Sequence, residues 1–67
     1  MRMIGVTDRY DGFVWINPMN VCAVHRDKMS GHTIITLSAG EKIITSMSLD
    51  DVIKLIEQEL TKPQGVD

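Results

Sequence analysis

The stretch from Thr33 to Leu60 constrains the fold most, because it joins a predicted β-hairpin to a predicted amphipathic helix. Two runs rich in β-branched residues, HTIITL and EKIITS, are separated by Ser-Ala-Gly, and Gly40 suits the left-handed position of a G1 bulge. Ser48 precedes the helical pattern with Asp51 three residues later, a pairing typical of a helix N-terminus. The stretch therefore predicts two antiparallel strands followed by a C-terminal helix.

Leu55 lies outside the predicted apolar stripe of this helix, so we expect it to contact a partner rather than the sheet. Pro63 ends the pattern, because proline cannot donate to a helical ladder and clashes with the preceding turn. We predict one domain over residues 1–62 and a flexible tail over 63–67. The stripe expected to pack on the sheet consists of Leu49, Val52, Ile53, Ile56 and Leu60.

The N-terminal half predicts three further strands, at about 3–7, 13–17 and 21–26. Asp11-Gly12 is a strong turn signal, and Pro18 interrupts the second strand because it has no N–H to donate. The predicted fold class is therefore α+β. It consists of a small, strongly bent antiparallel sheet of about five strands, followed by one C-terminal amphipathic helix.

Apolar residues occur on both faces of these strands, although a sheet with one face in water alternates more strictly. We assign Phe13 and Trp15 to the core. One helix covers one side of a sheet, so the other side needs strong sheet curvature or a second subunit. We favour self-association as a dimer or larger oligomer. The candidate interface residues are Val14, Ile16, Ile34, Ile44 and Leu55.

Composition narrows the class of protein. A chain of 67 residues is near the lower limit for a self-sufficient core, and its one cysteine, Cys22, excludes an internal disulfide. The formal net charge of −2 argues against a dedicated nucleic-acid binder. No apolar run approaches the roughly 18 residues of a membrane span, and no signal-peptide pattern is present. We expect a cytoplasmic protein with a reduced thiol and no membrane insertion.

Few residues suggest chemistry, and each has a simpler structural interpretation. His25 and His32 flank a predicted loop, so their side chains could approach each other and bind a metal ion. Too few further ligands accompany them to complete such a site. We interpret Cys22 as a buried strand residue, and Asp50 and Asp51 as capping residues at a helix N-terminus. We therefore predict no catalytic residues, no cofactor and no metal site. Phe13 and Trp15 with flanking arginines leave a base-stacking surface as an alternative to the core assignment.

The order of motifs resembles the small FlbD/SwrD-type flagellar proteins. The similarity covers roughly residues 3–58 and is strongest in TIITL, GEKII and SLDDVI, where that family carries an ITL-x-x-G-x-K hairpin and an S-x-(D/E)-E-V helix start. The loop 27–31 and the more hydrophobic segment 13–16 depart from the family pattern.

This resemblance implies a non-enzymatic accessory protein of flagellar motor function or swarming. Together with the residues, it predicts a small interaction protein that self-associates and binds a larger protein assembly. The alternative is a regulator encoded by a phage or mobile element, which binds a host protein or nucleic acid.

Overall fold

The computed structural model describes residues 2–61. The predicted α+β class, with five antiparallel strands and a C-terminal helix, is confirmed. The predicted tail at 63–67, Pro63 and the last residue of the predicted domain lie outside the described residues. The elements are β1 (Ile4–Asp8), β2 (Gly12–Ile16), a 3₁₀ turn (Pro18–Asn20), β3 (Val21–Arg26), β4 (Thr33–Leu37), β5 (Lys42–Thr45) and α1 (Leu49–Thr61).

The strands form two sheets, where the sequence pattern predicted one. β1 and β2 form an antiparallel hairpin, and β3, β4 and β5 form an antiparallel sheet in that order. β1 runs beside β5, but the backbone ladder does not continue between them. The backbone hydrogen bond that joins the hairpin to β5 comes from Arg9, the residue after β1, whose N–H donates to the Ile44 carbonyl at 2.8 Å.

Asp8 explains why the ladder stops at this point. One oxygen of its carboxylate accepts the Ile44 N–H at 3.0 Å, which takes up the donor that a neighbouring strand would otherwise use. The other oxygen accepts the N–H groups of Tyr10 and Asp11 at 3.1 and 2.8 Å. The hydroxyl groups of Thr7 and Thr45 also meet at 3.0 Å. The hairpin is therefore held to the second sheet largely by side chains.

The core lies between the two sheets and the helix. Ile35 of the central strand β4 and Val6 of β1 are fully buried, and Val52 of α1 packs into the same cluster. Thr33 is also buried, with its hydroxyl donating to the Met47 carbonyl at 2.8 Å, so its polar group is satisfied. The buried apolar residues are Ile4, Val6, Ile16, Ile35, Ile43, Val52 and Ile56.

The helix packs on a face rotated from the predicted one. Ile53 and Leu60, expected in the core, are 37% and 44% exposed. Leu55, expected to face a partner, is half-buried and packs against the core. Val52 and Ile56 are buried as predicted. The apolar residues of this helix lie on more than one of its faces. Its contacts with β1, β3 and the 3₁₀ turn therefore decide which face is buried.

Strand β2 also faces the opposite way from the prediction. Phe13 and Trp15, assigned to the core, are 57% and 64% exposed, whereas Ile16 is 5% exposed and lies in the core. The register pairs Ile16 with Ile4 and Val14 with Val6, so the inner face of β2 packs beside the inner face of β1. The aromatic pair therefore points outward.

The local signals at turns and helix start are accurate. Gly40 has a φ of 91°, and its N–H donates to the Leu37 carbonyl at 2.9 Å, as expected for the predicted turn. The Ser48 hydroxyl accepts the Asp51 N–H at 3.1 Å, which confirms the predicted N-cap. In β3, a bulge between Val21 and Ala23 displaces Cys22 from the alternation. Cys22 is consequently exposed rather than buried.

Candidate interaction surface

The outward face of the β1–β2 hairpin carries the chain's phenylalanine and its tryptophan. The antiparallel register places Trp15 opposite Gly5 and Phe13 opposite Thr7. These four residues alternate with the buried positions of the two strands, so they share the outer face. We call Gly5, Phe13 and Trp15 the aromatic face.

Gly5 lets the two rings lie directly against the strand. The rings meet edge-to-face, with centroids 5.4 Å apart and an interplanar angle of 80°. A Cβ at Gly5 would lie 2.5 Å from Cζ of Phe13, closer than carbon atoms can approach, and 3.1 Å from Cζ3 of Trp15, which is a tight contact. A glycine in a strand often marks such a close approach. The aromatic pair of β2 is thus packed on the backbone of the neighbouring strand β1 within the same chain.

The exposed aromatic area is large for so small a domain. An aromatic side chain carries about 150–250 Å², so exposures of 57% and 64% leave roughly 180–300 Å² of ring surface in water. Met3, two residues before Gly5, is 50% exposed and adds to the apolar surface at this end of the chain. The largest apolar patch on a soluble monomer is usually about 300–600 Å² and is often functional, so this face is a candidate interaction site.

The two outer strands of the structure differ in how their free edges are protected. β3 carries the bulge at Cys22 and the polar residues His25 and Arg26, which discourage pairing with another strand. β2 reads Gly-Phe-Val-Trp-Ile and has no charge, no proline and no bulge. Within residues 2–61, β2 pairs with β1 alone. Its other edge has no backbone partner in this part of the chain, and we call it the open edge.

The predicted interface residues do not form one surface. Ile16 belongs to the core, and Val14 and Leu55 pack against it from the hairpin and the helix. Ile34 and Ile44 are directly paired across β4 and β5, half-buried, on the side of the second sheet away from the core. These last two remain candidates for contact, whereas the first three are occupied by intramolecular packing.

The residues considered for chemistry are dispersed. His25 lies on β3 opposite Ile34, and His32 lies in the loop before β4. Among residues 2–61, no group of three or more His, Cys, Asp or Glu side chains is placed to hold a metal ion. Asp50 and Asp51 are both exposed in the first turn of α1, where the positive end of the helix dipole favours carboxylates.

Two clefts lie near the junction of the sheets. The larger, about 420 Å³, is lined at the start of α1 by Arg26, Ser46, Ser48 and neighbouring residues. The smaller, about 130 Å³, includes Asp8 and His32, and Nδ1 of His32 is buried with no hydrogen-bond partner among residues 2–61. Neither cleft includes Cys22.

Two carboxylates have a perturbed acidity for structural reasons. The N–H groups of Asp11, Ile44 and Tyr10 lower the pKa of Asp8, and their effect outweighs the desolvation that raises it. In the loop after β3, the N–H and hydroxyl of Ser30 lower the pKa of Asp27 in the same way. Both groups hold backbone turns in place, and hydrogen bonding to the charged form explains the direction of both shifts.

Comparison with known proteins gives no identification. No family model, no curated protein and no solved structure matches the chain. The similarity to FlbD/SwrD-type proteins therefore stays a prediction from the motifs. The helix formed within residues 2–61 is too short and too polar to cross a membrane.

Sequence reasoning missed Gly5 and Asp8. A lone glycine in a strand pattern is a known sign of close backbone approach, and the aromatic residues of the next strand are what approach it here. Asp8 directly precedes a turn, where aspartate commonly accepts backbone N–H groups, so part of its role was visible. Its bond to Ile44 joins residues 36 positions apart, and no local pattern reports such a contact.

Proposed function

We propose that the chain is a small non-catalytic interaction domain that self-associates and binds a larger protein assembly. The observation that supports this proposal most is the aromatic face: an ordered aromatic pair, more than half exposed, next to an open strand edge. Aromatic residues are enriched at protein interfaces, and tryptophan is among the residue types that contribute most of the binding energy there.

The resemblance to FlbD/SwrD-type proteins adds a biological setting to the proposal. In that setting the protein acts in the bacterial cytoplasm as an accessory to flagellar motor function or swarming. Deleting the gene in the bacterium that encodes it should reduce swarming, and the wild-type gene should restore it. Normal swarming after a clean deletion would contradict the flagellar part of the proposal and leave the interaction part standing.

Self-association is tested by sedimentation equilibrium across micromolar concentrations. We expect the apparent mass to rise with concentration above the 7.5 kDa of one chain. A mass of 7.5 kDa at every concentration, with a folded circular dichroism spectrum, would refute self-association.

A second candidate function is a regulator, encoded by a phage or mobile element, that binds nucleic acid or a host protein. The exposure of Phe13 and Trp15 on a sheet face favours the nucleic-acid version, since single-stranded bases stack on such rings. Against it stands the formal net charge of −2. Quenching of Trp15 fluorescence by a single-stranded oligonucleotide, weakening steeply between about 50 and 200 mM salt, would support this candidate.

A further inference from the structure

Strand β2 has a symmetric sequence pattern around its centre. Val14 is the middle of the five residues Gly12–Ile16, with an aromatic residue on either side. Phe13 and Trp15 lie on the outer face, and Val14 and Ile16 point inward. Two copies of this strand in antiparallel orientation about Val14 would therefore place an aromatic residue of one copy opposite an aromatic residue of the other.

We propose that a second copy of the chain pairs with this one along the open edge of β2, antiparallel and about a two-fold axis through Val14. This inference rests on the proposed self-association and assigns its interface. The product is a continuous four-stranded sheet in the order β1-β2-β2-β1. A two-fold contact of this kind closes on itself, so the assembly is a dimer rather than a filament.

The register about Val14 brings matching residues together. Phe13 of each chain lies opposite Trp15 of the other, so two aromatic cross-strand pairs form on the same outer face. Gly12 lies opposite Ile16 of the second copy, so the smallest residue of the strand meets the largest aliphatic one. No charged side chain of β2 faces another, because the strand has none.

The area agrees with a second copy as the occupant. Exposures of 57% and 64% leave roughly 360–600 Å² of ring surface over two chains. Specific interfaces below about 1,200 Å² in total belong to the weak, transient class. Pairing along the edge buries the sides of the rings that face the second strand and the edges of two five-residue strands, and leaves the outer faces of the rings in water, so the contact falls within that weak class. We therefore expect a dimer that dissociates in the micromolar range.

The β3 edge is a poorer site for the same contact. Its bulge at Cys22 breaks the regular spacing of backbone groups, and it carries the polar residues His25 and Arg26, which discourage pairing with another strand. The unprotected β2 edge is thus the edge that a second copy can extend.

Trp15 reports directly on this interface, since it is the chain's one tryptophan. On raising the concentration, its emission should move to shorter wavelength and its quenching by acrylamide should fall, in parallel with the mass from sedimentation. Phe13→Lys should raise the dissociation constant by about tenfold or more, because it removes both aromatic pairs and adds a charge to each paired edge.

Tyr10→Lys is the matched control. It makes the same aromatic-to-lysine change at a residue that is 76% exposed, in the turn outside β2. This variant should associate like the wild type. Circular dichroism and a thermal melt below the dissociation constant should show that both variants are folded.

A mixing experiment tests the register. One protein carries Phe13→Cys and the other Trp15→Cys, each with Cys22→Ser to remove the native thiol. Under mild oxidation, the two introduced thiols lie opposite each other in the mixed dimer, so the equimolar mixture should cross-link several times faster than either protein alone.

The outcomes separate the inference from the proposed function. If Phe13→Lys still associates and Ile44→Lys does not, the β2 interface is wrong. The contact then lies on the outer side of the second sheet, and the proposed self-association stands. Association with an unchanged Trp15 spectrum, or equal cross-linking in the mixture and the separate proteins, would also overturn the β2 interface. A folded chain that is monomeric at every concentration would overturn the β2 interface and the proposed self-association together, and would leave the proposed binding to a larger assembly standing.

Discussion

Ile53 and Ile56 provide a sharp comparison, because they are the same residue type on one helix in different environments. Ile56 is 9% exposed and belongs to the core, whereas Ile53 is 37% exposed. The sequence pattern places both on the buried stripe. We predict that Ile56→Ala destabilises the protein much more than Ile53→Ala.

The size of each effect follows from the carbon atoms removed. An isoleucine-to-alanine change deletes three carbon groups, worth roughly 2.4 kcal/mol when fully buried. At Ile56 nearly all of this is lost and a cavity forms, so we expect about 3 kcal/mol. At Ile53 about two-thirds, roughly 1.5 kcal/mol, is lost. The higher helix propensity of alanine offsets about 0.5 kcal/mol at both positions and cancels in the comparison. The difference between the variants is therefore about 1.5 kcal/mol.

Urea denaturation followed by circular dichroism measures this difference. With an m-value near 1 kcal/mol/M, expected for a domain of this size, the two midpoints should differ by about 1.5 M. The melts should be run below the dissociation constant of the dimer, since association adds to apparent stability. Equal midpoints, or a lower midpoint for Ile53→Ala, would refute the helix orientation described here.

Three further predictions follow from local contacts. Ser48→Ala should cost about 1 kcal/mol in a urea melt, because the Asp51 N–H loses its acceptor, and no measurable loss would contradict the N-cap. Asp8 has a folded pKa below its ordinary value of about 3.9, so its contribution is present above that value and lost as pH falls through the folded pKa. Asp8→Asn should therefore lower the free energy of unfolding at pH 7 and reduce its further fall below about pH 4. Both effects should be larger than those of Asp27→Asn. The same fall of stability at acid pH in the wild type and in Asp8→Asn would contradict this. Gly5→Ala should shift the Trp15 emission with little loss of stability, since the clashing ring atoms can swing into solvent, and an unchanged spectrum would show that the rings do not rest on the strand.

The elements of this fold were readable from local sequence. Runs of β-branched residues between turn signals gave all five strands to within one or two residues, because strand propensity and turn chemistry act over short distances. The Ser48 cap and the left-handed Gly40 were equally accessible, since each depends on a few adjacent residues. The α+β class follows from these elements.

The direction in which each element faces was less accessible. In β2, alternation separates Phe13 and Trp15 from Val14 and Ile16, but both sets are apolar, so the pattern does not say which is inside. The core between two thin sheets accommodates Ile16 and Val14 beside Ile4 and Val6. The flat rings lie outside, where Gly5 leaves room for them. The candidate site therefore emerged on a face that the sequence had assigned to the core.

The sequence by itself determined the order and type of elements, because hydrogen bonds within turns and helices join near neighbours. The tertiary structure alone decided that the strands form two sheets, that Leu55 rather than Ile53 packs inward, and that the aromatic pair stands exposed. These outcomes depend on contacts between distant parts of the chain, such as that of the Asp8 carboxylate with the Ile44 N–H. Each apolar side chain competes with the others for one small core, and only their joint packing selects which are buried.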